Sequence, residues 1–390
     1  MNQDWGIYIH FPFCLSKCPY CAFNSVTFSK SSAQEYLTAL KREMEVRLPT
    51  AAETRPHPSS IYFGGGTPSL MPVKWAERLL AGIAADPGYG PETEVSLEVN
   101  PDVPSPAEKL FPAFRQAGFN RAIIGVQSFQ PTQLNSLGRR HSPEQAFQAY
   151  QFARAAGFTN LGIDLIFALP GQSLEDWARD LETAVSLGPD HISTYSLTLE
   201  KDTPFYRLNQ VAELTLPDEQ LYGLMFKTCH YYLSQHGYEH YEVSNYARPG
   251  YRSVHNQLYW RRQACLGLGA GAHSFFPEQG AYGVREASPT QVSKYMGQLN
   301  QPAKARDREY LSRGEALCEA LFFGIRTIEG VDMEELAREF QLDSLPNCLA
   351  LIEELEQADL VIFSANHLVP TWKGMLVADE ITLRLLKILS

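Results

Sequence analysis

Between residues 6 and 200, short apolar runs alternate with segments whose apolar residues recur at helical spacing, and this alternation constrains the fold more than any other feature. The runs are Gly6 to Phe11, Ser60 to Phe63, Glu94 to Val99, Ala122 to Val126, Leu161 to Phe167 and His191 to Leu197. Between them, Ser32 to Leu48, Val73 to Ala84, Ser105 to Ala117, Pro143 to Ala156 and Leu174 to Ser186 are rich in helix formers. Such an order demands parallel strands joined by right-handed crossovers, hence an α/β fold, either an open sheet or a barrel.

The first run leads into Cys14, Cys18 and Cys21, spaced CxxxCxxC, with Tyr20 before the last cysteine. Structural zinc takes four ligands, whereas a cubane of four irons and four sulfurs on three thiolates keeps one iron open to a ligand that is not protein. A zinc knob would need a fourth ligand, such as His10 or a distant cysteine. The remaining cysteines, Cys229, Cys265, Cys318 and Cys348, are scattered and bring the total to an odd seven, which does not suit a secreted disulfide framework.

Polar residues gather where the other runs end. The second ends in Gly64-Gly65-Gly66-Thr67-Pro68, where the missing Cβ atoms let backbone approach a ligand. The third places Glu98 near its C-terminal end, and the fifth carries Asp164 inside an apolar stretch. Buried without a partner, that acid would cost several kcal/mol, so a cationic or hydrogen-bonding partner such as Arg139 is expected.

Neither the N-terminal residues Met1 to Trp5 nor any later apolar run has the character of a leader or a bilayer span, so a cytoplasmic location is expected. A formal net charge of −11 argues against nucleic acid as a partner.

The ordered set of Cys14/Cys18/Cys21, GGGTP, LEVNP, GVQSF, GRRH and IDLIFALPGQ resembles the oxygen-independent coproporphyrinogen III oxidase branch of the radical S-adenosylmethionine (SAM) superfamily, over nearly the whole chain. The resemblance implies a partial (β/α)6 radical SAM barrel, with reactive ligands at the C-terminal ends of the strands. It implies a 4Fe-4S cluster on the three cysteines and SAM held by Tyr8, Tyr20, Gly65, Gly66, Thr67, Glu98, Gln127, Arg139 and Asp164. Thr67 stands where the superfamily commonly has an acid.

Further on, His255-Asn256-Gln257-Leu258-Tyr259-Trp260 fits HNxxYW, a pattern that resembles the heme chaperones of this branch. By residue type alone, this is an aromatic strand or loop packed on the barrel. The resemblance adds heme as a cofactor, with His255 as leading axial ligand, Asn256, Tyr259 and Trp260 beside it, and Cys265 or His273 as alternatives. Only five residues precede the first run, whereas the oxidase carries an extension there, so the expectation is a carrier delivering heme to respiratory or membrane heme proteins. Membrane contact would come at most through those partners, and oxidative decarboxylation of coproporphyrinogen is the alternative.

Composition shifts near Asn300 to Arg308, dividing a barrel with its HNxxYW extension, 1–300, from a C-terminal domain, 301–390. Glu315 to Ile325, Met333 to Phe340 and Asn347 to Leu355 suit helices, Leu360 to Phe363 and His367 to Pro370 a hairpin, and Lys373 to Leu389 a final helix, which together give a small winged-helix-like domain. Residues 306–390 hold 8 Lys/Arg against 16 Asp/Glu, a charge of −8 that would repel DNA, so this unit is expected to be structural or to dock a partner.

Overall fold

Six parallel strands follow one another in sequence order: β1 (Trp5–Phe11), β2 (Ser60–Gly65), β3 (Glu94–Val99), β4 (Arg121–Gln127), β5 (Asn160–Phe167) and β6 (His191–Ser196). They are seen in a computed structural model that describes residues 4–52, 57–85, 88–102, 107–298, 306–342 and 345–389. The connecting helices are α1 (Lys30–Ala52), α2 (Val73–Ala85), α3 (Ala107–Gln116), α4 (Pro143–Ala155) and α5 (Leu174–Leu187). Ser142 and Ser173 start α4 and α5 with capping boxes that satisfy otherwise orphaned N–H groups.

Side chains alternate along these strands. Ile7, Ile9, Phe11, Ile61, Phe63, Val95 and Leu97 are buried in one core with Leu37, Leu40, Leu79, Ile83 and Phe114 of the helices. Each such side chain contributes about 1.5–3 kcal/mol on burial. The intervening residues, Tyr8, His10, Tyr62, Ser96 and Glu98, are polar or amphipathic and meet inside the curl of the sheet, where a Cβ on Gly64 would touch Tyr62, Tyr8 and Glu98.

The sheet extends past both ends of the expected set. After α6 (Glu219–Gln235), β8 (Asn245–Ala247) adds antiparallel to β6, and β7 (Glu239–Glu242) pairs antiparallel with β8 at the sheet edge. Next come the short helix α7 (Val254–Trp260) and β9 (Ala264–Leu268), which pairs parallel with the other side of β1. A meander of β10 (His273–Phe276), β11 (Val284–Ala287) and β12 (Asp307–Tyr310) completes twelve strands. The second neighbour of β1 is therefore β9, and the curled sheet is open rather than closed on β6. Although β12 lies beyond the expected boundary at 300/301, it belongs to this sheet; residues 299–305 are outside the described set.

A second core, around Leu317, Leu321, Phe340, Ile352 and Leu385, holds the C-terminal unit. Its elements are α8 (Arg313–Gly324), β13 (Val331–Asp332), α9 (Met333–Phe340), α10 (Leu345–Gln357), a hairpin of β14 (Val361–Ser364) and β15 (His367–Pro370), then α11 (Trp372–Leu376) and α12 (Ala378–Leu389). The single final helix expected from Lys373 is broken at Val377, where the extended-side φ of −119° ends the short turn begun by the Thr371 cap.

Candidate functional site

The C-terminal ends of the strands enclose a cavity of about 390 Å³. Its rim is the cysteine loop that follows β1. A two-residue parallel bridge, Phe13–Cys14 with Val26–Thr27, folds that loop back, and Cys21 N–H donates to Cys18 O at 3.2 Å. All three thiols are half-buried, unbridged and on the cavity lining. Thr67 Oγ1 donates to Cys14 Sγ at 3.6 Å and Arg139 Nη1 to Cys18 Sγ at 3.8 Å, so each of these sulfurs has a donor suited to a thiolate. Burial pushes the Cys14 and Cys21 thiols up, with Thr67 and Ser25 opposing it at Cys14.

A fourth ligand from His10 is not on offer. Its Nδ1 meets Tyr8 OH at 3.0 Å, and its Nε2 meets Asn24 O at 2.8 Å. Among the described residues no group of three His, Cys, Asp or Glu is arranged to hold a single metal ion. The soft donor set without a shared tetrahedral point suits a cluster, in which each thiolate binds its own iron.

The glycine run serves the scaffold. A Cβ at Gly66 would lie 2.7 Å from Phe13 O, and the N–H groups of Gly66 and Thr67 donate to Phe11 O and Phe13 O. Gly65, at φ 110°, sends its N–H to Glu98 Oε2 at 3.1 Å, while Tyr62 OH donates to Glu98 Oε1 at 2.8 Å. Burial, with Asp164 adding to it, nevertheless raises Glu98 to about 7. Asp164 is itself raised to about 6 by burial, opposed by the Ser193 hydroxyl and by Arg121 and Arg139.

The partner expected for Asp164 is engaged elsewhere. Arg139 Nη2 donates to Asn100 Oδ1 at 2.8 Å and to Gly125 O at 2.7 Å, and acts on Asp164 only through space. Asn100 in turn donates to Thr67 Oγ1 at 2.9 Å, which makes it the hub between the cysteine loop and the guanidinium. Asn100, Tyr62 and Tyr195 all line the cavity and were missed as site residues. Gln127 reaches the cavity through a register shift in β4, at φ 70°, a conformation that costs about 1–3 kcal/mol in a residue with a Cβ. Tyr20 lines the cavity against Phe205, whereas Tyr8 lies behind the lining, stacked on Tyr62.

HNxxYW is at the other end. It forms α7, capped by Ser253 and by the carboxylate of Glu94, which accepts from Val254 N and His255 N at 3.1 and 3.2 Å. Glu94, Ser60 and Gly6 are early residues of their strands, so α7 plugs the N-terminal mouth of the barrel, and a Cβ on Gly6 would press within 2.7 Å of Leu258. His255 is 1% exposed, with Nδ1 on Ser60 Oγ at 2.8 Å and Nε2 on Tyr259 OH at 3.0 Å. Burial lowers it to about 3, and its ring stacks on Tyr62 and Tyr8. In this arrangement neither imidazole nitrogen is free for iron. Asn256 donates its N–H to Ser253, and Trp260 turns edge-on to Phe323 of α8. The alternatives do no better: Cys265 is buried beside Tyr259 OH, and His273 begins a strand away from the cavity lining.

Comparisons with known proteins agree with this architecture. The family model of the Radical SAM superfamily matches residues 8–184, and that of the HemN C-terminal domain matches residues 311–377. The chain is 34% identical to the Heme chaperone HemW of Bacillus subtilis (strain 168), over 96% of this chain and 97% of that one. It is also 34% identical to the mitochondrial Radical S-adenosyl methionine domain-containing protein 1 of Danio rerio, over 96% of this chain and 85% of that one. The structure of coproporphyrinogen III oxidase (HemN) from Escherichia coli, a Radical SAM enzyme, superposes with a TM-score of 0.81 over 98% of this chain and 90% of that one. At 24% identity that likeness concerns the fold alone.

Proposed function

The chain belongs to the radical SAM superfamily, on the branch of the HemW-type relatives, and from this premise we propose that it binds a 4Fe-4S cluster, SAM and heme and delivers the heme to respiratory or membrane heme proteins. The observation that carries the reading is the convergence of Cys14, Cys18 and Cys21 over one cavity whose wall presents Glu98, Asp164 and Arg139. When bound, the cluster supplies the electron that cleaves the sulfonium of SAM.

The chain's own groups divide the remaining work. Thr67 and Arg139 stabilise thiolate charge at Cys14 and Cys18. Glu98, fixed by Tyr62 and the Gly65 N–H, accepts from a ribose diol or an ammonium group, and Asp164 and Gln127 complete that wall. Gly65, Gly66 and Tyr20 shape the pocket beside the cysteine rim and would hold the methionine end of SAM. Support for heme comes from the relatives named as heme chaperones, including that of Escherichia coli (strain K12) at 38% identity over 271 residues. Among the described residues no helix is long and apolar enough to cross a membrane, which suits a cytoplasmic carrier that meets membranes through its partners.

Anaerobic reconstitution with iron and sulfide, followed by parallel additions of SAM, hemin and coproporphyrinogen, tests the reading. Expected are about four irons and four sulfides per chain, saturable SAM binding and a Soret band with hemin. Tightly held zinc without sulfide would overturn the cluster. Conversion of coproporphyrinogen to protoporphyrinogen would replace the carrier by the oxidase.

A further inference from the structure

Away from both ends of the barrel, α6 and α11 meet along a seam where Leu376 approaches Gly223. His230 and Trp372 face each other across it with rings stacked at 5.6 Å and 19°. Tyr231 stands edge-on to both, at 73° to the imidazole and 67° to the indole. Around them, Tyr231, Leu224 and Val377 are 44%, 42% and 37% exposed, an apolar surface rimmed by two cations. Lys227 lies 5.9 Å from the Tyr231 ring and Lys373, bridged to Asp359, 6.0 Å from that of Trp372. Leu224, Lys227 and Tyr231 recur at i, i+3 and i+7, so they share one face of α6.

His240 Nδ1 lies 3.0 Å from His230 Nδ1, so one of the two carries the proton of that contact. In the tautomer where it is His230, the Nε2 of His240, 3.5 Å from Val243 O, carries that ring's proton and His230 Nε2 keeps a lone pair. No hydrogen-bond partner of His230 Nε2 lies among the described residues. Stacking on Tyr246, centroids 4.2 Å apart, holds the His240 ring in place. A metal-binding imidazole commonly donates its second N–H to an orienting acceptor in this way.

We propose that this seam is the heme site, with His230 Nε2 as axial ligand, Trp372 stacked on the ligating imidazole, Tyr231 and Leu224 toward the macrocycle, and Lys227 and Lys373 toward the propionates. The assignment rests on the heme-carrying reading above. The seam joins the barrel to the acidic C-terminal unit, so cargo held here sits where a receiving protein can reach it.

Hemin titration of the full chain, without iron–sulfur reconstitution, tests the site. His230→Ala is expected to weaken binding by about tenfold or more and to lose the Soret position of nitrogen-ligated heme, with free imidazole restoring it. His236→Ala, an exposed histidine on the same stretch, is expected to bind as the unaltered chain does. SAM affinity and iron loading of His230→Ala should match the unaltered chain. Unchanged hemin binding by His230→Ala would overturn the seam and leave the heme reading standing, whereas no Soret band from the unaltered chain would overturn the heme reading itself. Should His230→Ala misfold, Lys227→Glu with Lys373→Glu serves instead: weaker binding supports the site, and equal binding overturns it.

Discussion

The two mouths of the barrel are built from the same strands and satisfied in opposite ways. At the N-terminal mouth the main charged and imidazole groups are engaged by the scaffold: Glu94 takes the first N–H groups of α7, His255 is bonded at both nitrogens, and Arg121 Nη1 reaches Asn160 and Tyr251 O, although Arg121 Nε and Trp260 Nε1 are buried without a hydrogen-bond partner among the described residues. At the C-terminal mouth three thiols stand unbridged, two acids are held well above their ordinary range, and Gln127 sits in a left-handed conformation. Strained backbone and shifted acids of this kind cluster at functional sites. A histidine amid aromatics can thus be bonded into the scaffold, while the candidate site lies where acids are shifted and thiols are unbridged.

The sharpest way to break this contrast is Cys14→Ala. It should abolish cluster incorporation, read as iron and sulfide per chain, while leaving far-UV circular dichroism unchanged; a chain that unfolds instead would make the cysteine loop part of the scaffold. His255→Ala should do the reverse. It strands Ser60 and Tyr259 in a buried site and opens a hole beside Tyr62, for a loss of about 2–4 kcal/mol in urea unfolding. A stability loss below the level of a surface substitution would remove α7 from its role as plug.

Titration separates the mouths further. Glu98 and Asp164 have folded values raised from 4.5 and 3.8 to about 7 and about 6, so both hold their protons longer folded than unfolded. Their contribution to the stability of the empty chain is fully present below the unfolded values and is lost as pH rises through the folded ones, across about pH 4 to 7. SAM carries cationic groups, and its affinity should rise over the same window as the acids ionise. Glu98→Gln should flatten both profiles, and profiles that keep their slopes would show that other groups titrate. The smallest effect belongs to the exposed pair of Arg261 and Glu329, 44% and 43% exposed, which ties α7 to the C-terminal unit. Arg261→Ala should cost about 0–1 kcal/mol in the same unfolding assay.

How much of this was legible follows from the range of the interactions. The six strands and five helices are local patterns of period 2 and 3.6, and all were readable, as were the hairpin and, apart from the break at Val377, the helices of the C-terminal unit. The flanking strands were not, because β9 and the meander are four or five residues long, pass through the glycine-rich Leu266 to Ala272 and gain their meaning only by pairing with β1. The cysteine spacing and the acids at strand ends pointed to residues that the structure brings to one cavity at the C-terminal mouth. Asn100 and Tyr62 escaped, though a signal existed: Tyr8, Tyr62 and Ser96 are polar or amphipathic at register-matched positions of three neighbouring strands, the mark of a shared interior face. For HNxxYW the sequence held Ser253 as a cap, which indicates a helix, but nothing in six residues says which end of a barrel it closes.

The strand that launches the cysteine loop has a neighbour on each side, β2 and β9, and so lies in the interior of the sheet. The proposed cluster would thus stand on hydrogen-bonded sheet and not on an edge strand. Damage by oxygen would empty the vessel without breaking it, and the same molecule could be recharged many times instead of being degraded and synthesised anew.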